Sequence, residues 1–429
     1  MNIQVFLNVD RNRLPPAPKT PKEFANISRE PTETLNMPTS DLLLIHPLLG
    51  ANEAWSAYLV EGAQQTAESC AAVLRLCNSP LLNEFDQRQP WFIPACETLP
   101  PVNPLGERAI TLFSPKANEA AGEALKQLEA SVRQARRKVA ANAVPNEKLP
   151  AAGAWDYLLI NAGHARTLPP YTLLGVASRT VVVATDVQNH ADFHWAQANA
   201  CTLATSEFLM TRAANGKKAD VTRLKLLEML NLIAADADTE ALEAIFRQET
   251  KLSYSLLRLV NSAANAPRTP ITSFSQAINL LGRRQLQRWM QLLVYADPNN
   301  GQQANPLLQK AAARGRLMEI LSAHLVAESG IELLSDAAFM VGSFSLLDVL
   351  LNLSIGEILQ QITLPAPIAQ ALSGHKGELG ELLELIVIAE SRDYPAAARQ
   401  LAALPFNGDT YVDAQLTALN WAAKINPST

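Results

Sequence analysis

The chain has 429 residues, 48% of them hydrophobic, and a formal net charge of -5. That much apolar material fills two ordinary cores, because a single core stops growing at roughly 250 to 300 residues. A weakly acidic balance supplies no general field to concentrate nucleic acid or an anionic membrane surface, so both are set aside as partners.

Cys70, Cys77, Cys96 and Cys201 stand among apolar or small residues, without C-x-x-C spacing or an adjacent histidine. This predicts reduced core thiols and no zinc half-site. The first residues, Met1 to Pro16, carry no cationic start ahead of an apolar stretch, and no run is read as reaching the roughly 18 apolar residues of a membrane span. The expectation is a cytoplasmic protein that carries no cofactor and makes no membrane contact.

In chain order, residues 1–40 come first, with Pro15, Pro16, Pro18, Pro21, Pro31 and Pro38 among polar residues. Such a composition cannot sustain a hydrogen-bond ladder and predicts an extended arm. Short apolar strands then alternate with helical pieces over residues 41–214. The strand candidates are Leu42–His46, Ala57–Val60, Trp91–Pro94, Ala109–Phe113, Tyr157–Asn161, Thr180–Thr185 and Cys201–Ala204. Continuous apolar runs of this length suit strands buried on both faces, as in a parallel sheet flanked by helices. Helices are predicted over Thr66–Leu76 and Glu119–Val139, the second with Leu125, Leu128 and Val132 on one stripe. This rhythm predicts a parallel α/β barrel or a doubly wound sheet.

The polar, glycine-containing segment Asn215–Asp220 is the expected joint, followed over 220–429 by an all-helical half. Leu227, Leu230 and Ile233 form an inward stripe, and Asp238 caps a helix over Thr239–Arg247. A buried helix ends at Leu256, Leu257, Leu259 and Val260, and the segment Asn261–Pro270 then turns the chain into a helix beginning at Ser273. Asn305-Pro306 opens a further helix, with Leu317, Ile320, Leu321 and His324 on one face and His324 read as a core histidine.

Leu252–Trp289 resembles the heart of an HDOD domain, the helical relative of metal-dependent HD phosphohydrolases that has lost its metal ligands. Asp336–Leu353, Leu364–Ile368, Gly377–Leu383 and Leu419–Ala422 follow the same family pattern in order and spacing. The preceding strands resemble an EAL domain, the (β/α) barrel phosphodiesterase of cyclic di-GMP, in an EAL–HDOD arrangement. The resemblance therefore implies a fold of α/β plus all-α class: a degenerate EAL-like barrel followed by a helical HDOD domain.

EAL chemistry needs carboxylates at strand ends to hold two divalent cations, and a Lys and a Glu to orient water. On the positions matching that pattern the chain carries other groups. Tyr58 stands in the strand that bears the family's naming Glu, Leu159 and Asn161 stand at Lys-x-Asp, Thr185 and Gln188 at the Glu-Lys-Val-Glu strand end, and Thr205 opens the closing motif as Thr205-Ser206-Glu207. No acid stands in Ile110–Phe113, and Val139–Pro145 holds no Asp-Asp-Phe step. The strings Glu123-Ala124-Leu125 and Glu240-Ala241-Leu242 fall in predicted helices, where composition alone produces them. In the helical half Ser345 and Leu346 stand where the resemblance places the His-Asp pair, leaving His324, Asp336, Asp348 and His375 as scattered metal candidates.

Arg283, Arg284 and Arg288, just after Gly282, are candidate contacts to an anion or to a partner's carboxylates. The resemblance implies no enzyme. It implies a non-catalytic bacterial signal-transduction scaffold that binds regulatory or signalling proteins, with homo-oligomerisation left open. The alternative is a non-hydrolysing sensor of cyclic di-GMP or another nucleotide.

Overall fold

The computed structural model describes residues 42–62, 67–96, 105–114, 119–212, 231–232, 243, 250–265, 267–296, 305–326, 331 and 333–425. The arm over 1–40, the joint at Asn215–Asp220, the stripe residues Leu227, Leu230 and Ile233 and the helix over Thr239–Arg247, apart from Glu243, lie outside the described residues. Residues 39–429 belong to one compact unit.

Eight strands close into a barrel in sequence order: β1 Leu43–Leu49, β2 Trp55–Gly62, β3 Trp91–Pro94, β4 Ala109–Phe113, β5 Val139–Asn142, β6 Tyr157–Asn161, β7 Val181–Thr185 and β8 Cys201–Ala204. The helices among them are α1 Ala67–Cys77, α2 Glu119–Gln134, α3 Ala162–Thr167, α4 Thr172–Ala177 and α5 His190–Ala198. Side chains alternate between two environments, as strand geometry requires. Leu48, Leu59, Phe92, Leu112, Leu159 and Val183 point inward and help to fill the interior. Their neighbours Tyr58, Trp91, Ile93, Leu158 and Val182 point outward into the helical shell.

Two features depart from the sequence expectation. The strand β1 runs antiparallel to both β2 and β8, whereas the other neighbours are parallel. Residues 50–54 are too few for the crossover that a parallel pair needs, so the first two strands can only form a hairpin. The strand β5 is absent from the expected strands, and the predicted helix over Glu119–Val139 runs onto its first residue, because Ala140 and Ala141 carry no strand preference of their own. Its neighbours impose extension on it through the ladders to β4 and β6.

The barrel's closing seam is thin. Only the bridge Leu49↔Ala204 joins β1 to β8, and the upper part of β1 runs on beyond the end of β8. There the Ile45 N–H donates to Gln415 Oε1 at 3.1 Å, and Gln415 Nε2 donates back to the Ile45 carbonyl at 3.3 Å. A side-chain amide from the helical half thus completes the backbone pairing that a neighbouring strand would otherwise supply.

The helical half comprises α6 Thr250–Val260, α7 Phe274–Leu293, α8 Pro306–Leu321, α9 Leu334–Phe344, α10 Leu347–Leu351, α11 Ile355–Leu359, α12 Ala366–Gly374, α13 Gly377–Glu390, α14 Tyr394–Ala402 and α15 Gly408–Ala423. Ser273 caps α7 and Asn305 caps α8, each side chain accepting from the third following amide. Gly282, at φ 75°, breaks α7 into two segments. Helices α8 and α9 pack so closely that a Cβ on Gly342 would meet the Arg314 carbonyl at 2.7 Å. His324 is exposed on a 3-10 turn after α8, because the helix ends at Leu321 and the face it was read on does not extend that far.

Leu334–Leu351 has the length and a mean hydropathy of 1.6 that pass as a membrane span, contrary to the reading that no run is long enough. In the structure it is two helices broken at Ser345-Leu346, with 56% of the window buried in the helical core. One buried apolar cluster runs without interruption from the barrel's outer shell into that core.

Candidate functional site

The carboxyl ends of parallel strands form the rim where barrel enzymes place their chemistry. On β2, strand parity makes Ala57 and Leu59 inward and Tyr58 outward. Tyr58 therefore stacks on Trp91 at 4.5 Å and meets Phe85 edge-on at 5.1 Å, inside the shell and away from the mouth. The residue that reaches the mouth from this strand is Glu61, two positions beyond Leu59.

Leu159 lies in the filled interior, and Asn161 at the rim caps α3 through Oδ1 while its Nδ2 donates to Asp186 Oδ2 at 2.7 Å. Thr185 ends β7 half-buried, and exposed Gln188 donates to the other oxygen of Asp186. Thr205 is buried, and its hydroxyl and Glu207 Oε2 both accept from the Val187 N–H, at 3.4 and 3.2 Å. Asn142 Nδ2 donates to Ser114 Oγ at 2.7 Å. Negative charge has therefore not vanished from this end of the barrel: Glu61, Asp186 and Glu207 remain.

Each of these carboxylates is already engaged. Between α13 and α14 the chain turns through Arg392, a non-glycine residue at φ 66°. Its guanidinium bridges Glu61 and Glu207, the latter at 3.1 Å, and Tyr394 Oη donates to the second oxygen of Glu61. Burial opposes the charge on Glu61, but Arg392, His46 and Tyr394 outweigh it and hold the carboxyl below its usual range. Arg392 is correspondingly pushed further up despite its own burial. His46 Nε2 lies 3.7 Å from Glu61, and burial keeps this imidazole below its ordinary value. Beneath Tyr394 is a cavity of about 130 Å³, lined among others by Glu61, Pro94, Cys96, Ser114 and Asn142.

A second internal cation occupies the helical half. Arg314, with a side chain only 3% exposed, donates to Ser345 Oγ at 2.6 Å and to Glu390 at 2.5 Å, where Lys310 also binds at 3.0 Å. Burial disfavours the Glu390 charge, but these two cations bring its carboxyl down to about 2. Of the two positions expected from the resemblance at the His-Asp pair, Ser345 thus accepts from a guanidinium, and Leu346 is buried apolar surface.

The three arginines after Gly282 do not act as one cluster. Arg288 is held by Glu319 at 2.5 Å and Asp336 at 2.6 Å, over the Phe339 ring, so it is an internal ion pair and not a free contact. Arg283 is half-buried and Arg284 exposed. Asp336 is thus spent on Arg288, Asp348 is half-buried with its carboxyl raised by burial, and His375 ends α12 in a left-handed conformation. Among the described residues no three His, Cys, Asp or Glu converge in an arrangement able to hold a metal ion.

Glu61 could have been found from strand parity alone. Arg392 could not, since it lies 331 residues from Glu61 and 185 from Glu207, and nothing local marks its destination.

A family model described as HDOD domain matches residues 221–329. Among curated proteins, Cyclic di-GMP phosphodiesterase CdgJ of Vibrio cholerae is 26% identical over 59% of this chain and 58% of its own length. The uncharacterized protein YuxH of Bacillus subtilis is 27% identical over 46% of this chain and 47% of its own. The chain therefore spans about half the length of the curated relatives it matches. The crystal structure of the Bacillus subtilis YkuI protein, with an EAL domain bound to cyclic di-GMP and calcium, aligns with a TM-score of 0.30 and 13% identity, over 56% of this chain and 72% of that one. A likeness of that extent supports no residue-by-residue correspondence.

Proposed function

This chain is an EAL–HDOD protein, and we propose that it acts in cyclic di-GMP-related signalling as a non-hydrolysing cytoplasmic scaffold that binds other proteins. The link to the nucleotide is supported by the named phosphodiesterase among its relatives. The absence of turnover is our own reading and rests chiefly on one observation: the guanidinium of Arg392 neutralises both Glu61 and Glu207 at the barrel mouth. A divalent cation held by those carboxylates would have to displace a half-buried, bridging arginine, and activated water needs such a cation. In the helical half, Arg314 stands against Ser345 in the same manner.

Calorimetric titration of the full chain with cyclic di-GMP, with and without magnesium, together with chromatography of the products, tests this reading. No binding heat and intact nucleotide are expected. Tight binding without cleavage would favour the sensor alternative, and magnesium-dependent cleavage would overturn both.

A further inference from the structure

We infer that the turn Ser391–Tyr394 is a latch over the barrel mouth, which opens locally when Arg392 lets go of Glu61 and Glu207. This goes beyond the scaffold reading and does not depend on it.

Four observations converge. Only three residues, Ser391–Asp393, separate α13 from Tyr394 at the start of α14, and the central one is held in a left-handed conformation that costs energy for arginine. Its contacts to the mouth are polar: Arg392 to two carboxylates supplied by β2 and by the segment after β8, and Tyr394 to one of them. Those two carboxylates flank β1, whose seam with β8 is a single bridge supplemented by Gln415. Tyr394 lines the cavity of about 130 Å³ and packs on the edge of the apolar cluster, so lifting the turn widens a space already present at the cost of that one ring contact.

These pairs are shielded from water, so the turn opens only rarely in the free chain, but a competing charge can replace them one contact at a time, whereas the continuous apolar cluster beside them does not come apart locally. The movement is therefore confined to the turn and the upper seam, and the two halves remain docked. A partner presenting carboxylates to Arg392 would shift the equilibrium toward the open form, because it binds that form alone.

The chain carries its own reporter. Cys96 lines the cavity and is 3% exposed. Cys77 and Cys201 are buried elsewhere, with thiols pushed up to about 12 by burial. The full chain and its Arg392→Gln and Tyr394→Phe variants are treated with N-ethylmaleimide, and labelling of each cysteine is followed by peptide mass spectrometry. Arg392→Gln should speed labelling of Cys96 by roughly tenfold, local opening being how a buried group meets solvent, and leave Cys77 and Cys201 slow. Tyr394→Phe should raise the same site by a smaller factor, and it decides the matter if Arg392→Gln does not fold. Unchanged labelling of Cys96 in both variants, or a parallel rise at Cys77, Cys96 and Cys201, overturns the latch: the first means that the turn covers nothing, the second that the whole fold loosened.

Discussion

Glu390 and His46 sit in the same interior yet titrate for opposite reasons. Glu390 stays ionised because Arg314 and Lys310 more than offset its desolvation, whereas His46 stays neutral because burial outweighs the attraction of Glu61 and Glu207. Both make the protein acid-sensitive. A carboxyl at about 2 in the fold, against 4.5 for the free side chain, contributes stability that is complete above pH 4.5 and disappears as pH falls toward 2. The amount is on the order of 3–4 kcal/mol, taking about 1.4 kcal/mol per pKa unit. An imidazole lowered from 6.5 contributes stability that is present above that pH and lost on acidification below it. Urea denaturation from pH 7 to pH 3 should show a steady fall in wild-type stability. The fall should be shallower in Glu390→Gln, whose side chain cannot titrate, and identical slopes would remove Glu390 from the account.

At the scale of elements, the antiparallel β1 governs how the barrel closes. A hairpin places the first strand with its upper edge beyond the end of β8, and α15 fills that edge with Gln415. Gln415→Ala removes a buried donor and a buried acceptor and leaves the Ile45 N–H and carbonyl without them. The expected cost is about 1–3 kcal/mol. Hydrogen exchange should show faster loss of protection at the Ile45 amide than at β6 or β7, whose ladders have strand partners on both sides. Uniform exchange across the barrel would mean that the seam is not a separate weak point. Elsewhere the close α8–α9 approach at Gly342 explains why a glycine serves there.

On the whole-molecule scale, composition divides the chain into segments 41–214 and 220–429, but contacts group residues 39–429 into one unit. Beyond Gln415, the Arg75–Asp409 pair at 2.9 Å and the Asn420–Glu84 bond at 2.5 Å tie the outside of the barrel to α15, beside the shared apolar cluster. Cutting the chain at residue 213 would expose that cluster to water. The fragment 41–212 should therefore lack a cooperative thermal transition and bind a hydrophobic dye, whereas the full chain should melt cooperatively. A cooperative melt of the fragment would show that the barrel needs no helical partner.

Local patterning was enough to locate seven of the eight strands, the helix starts at Ser273 and Asn305, and the change from α/β to all-helical architecture, because each depends on periodicity or on start signals within a few residues. It could not orient β1 as antiparallel, extend the alanines of β5, or turn Tyr58 away from the mouth. Those outcomes follow from strand pairing and from which face of a strand the neighbouring elements cover. Least accessible of all were the internal cations. Arg392 and Arg314 look like ordinary charged residues in sequence, and only the packing of segments distant along the chain brings them onto buried carboxylates, where desolvation makes a pairing compulsory that water would leave optional.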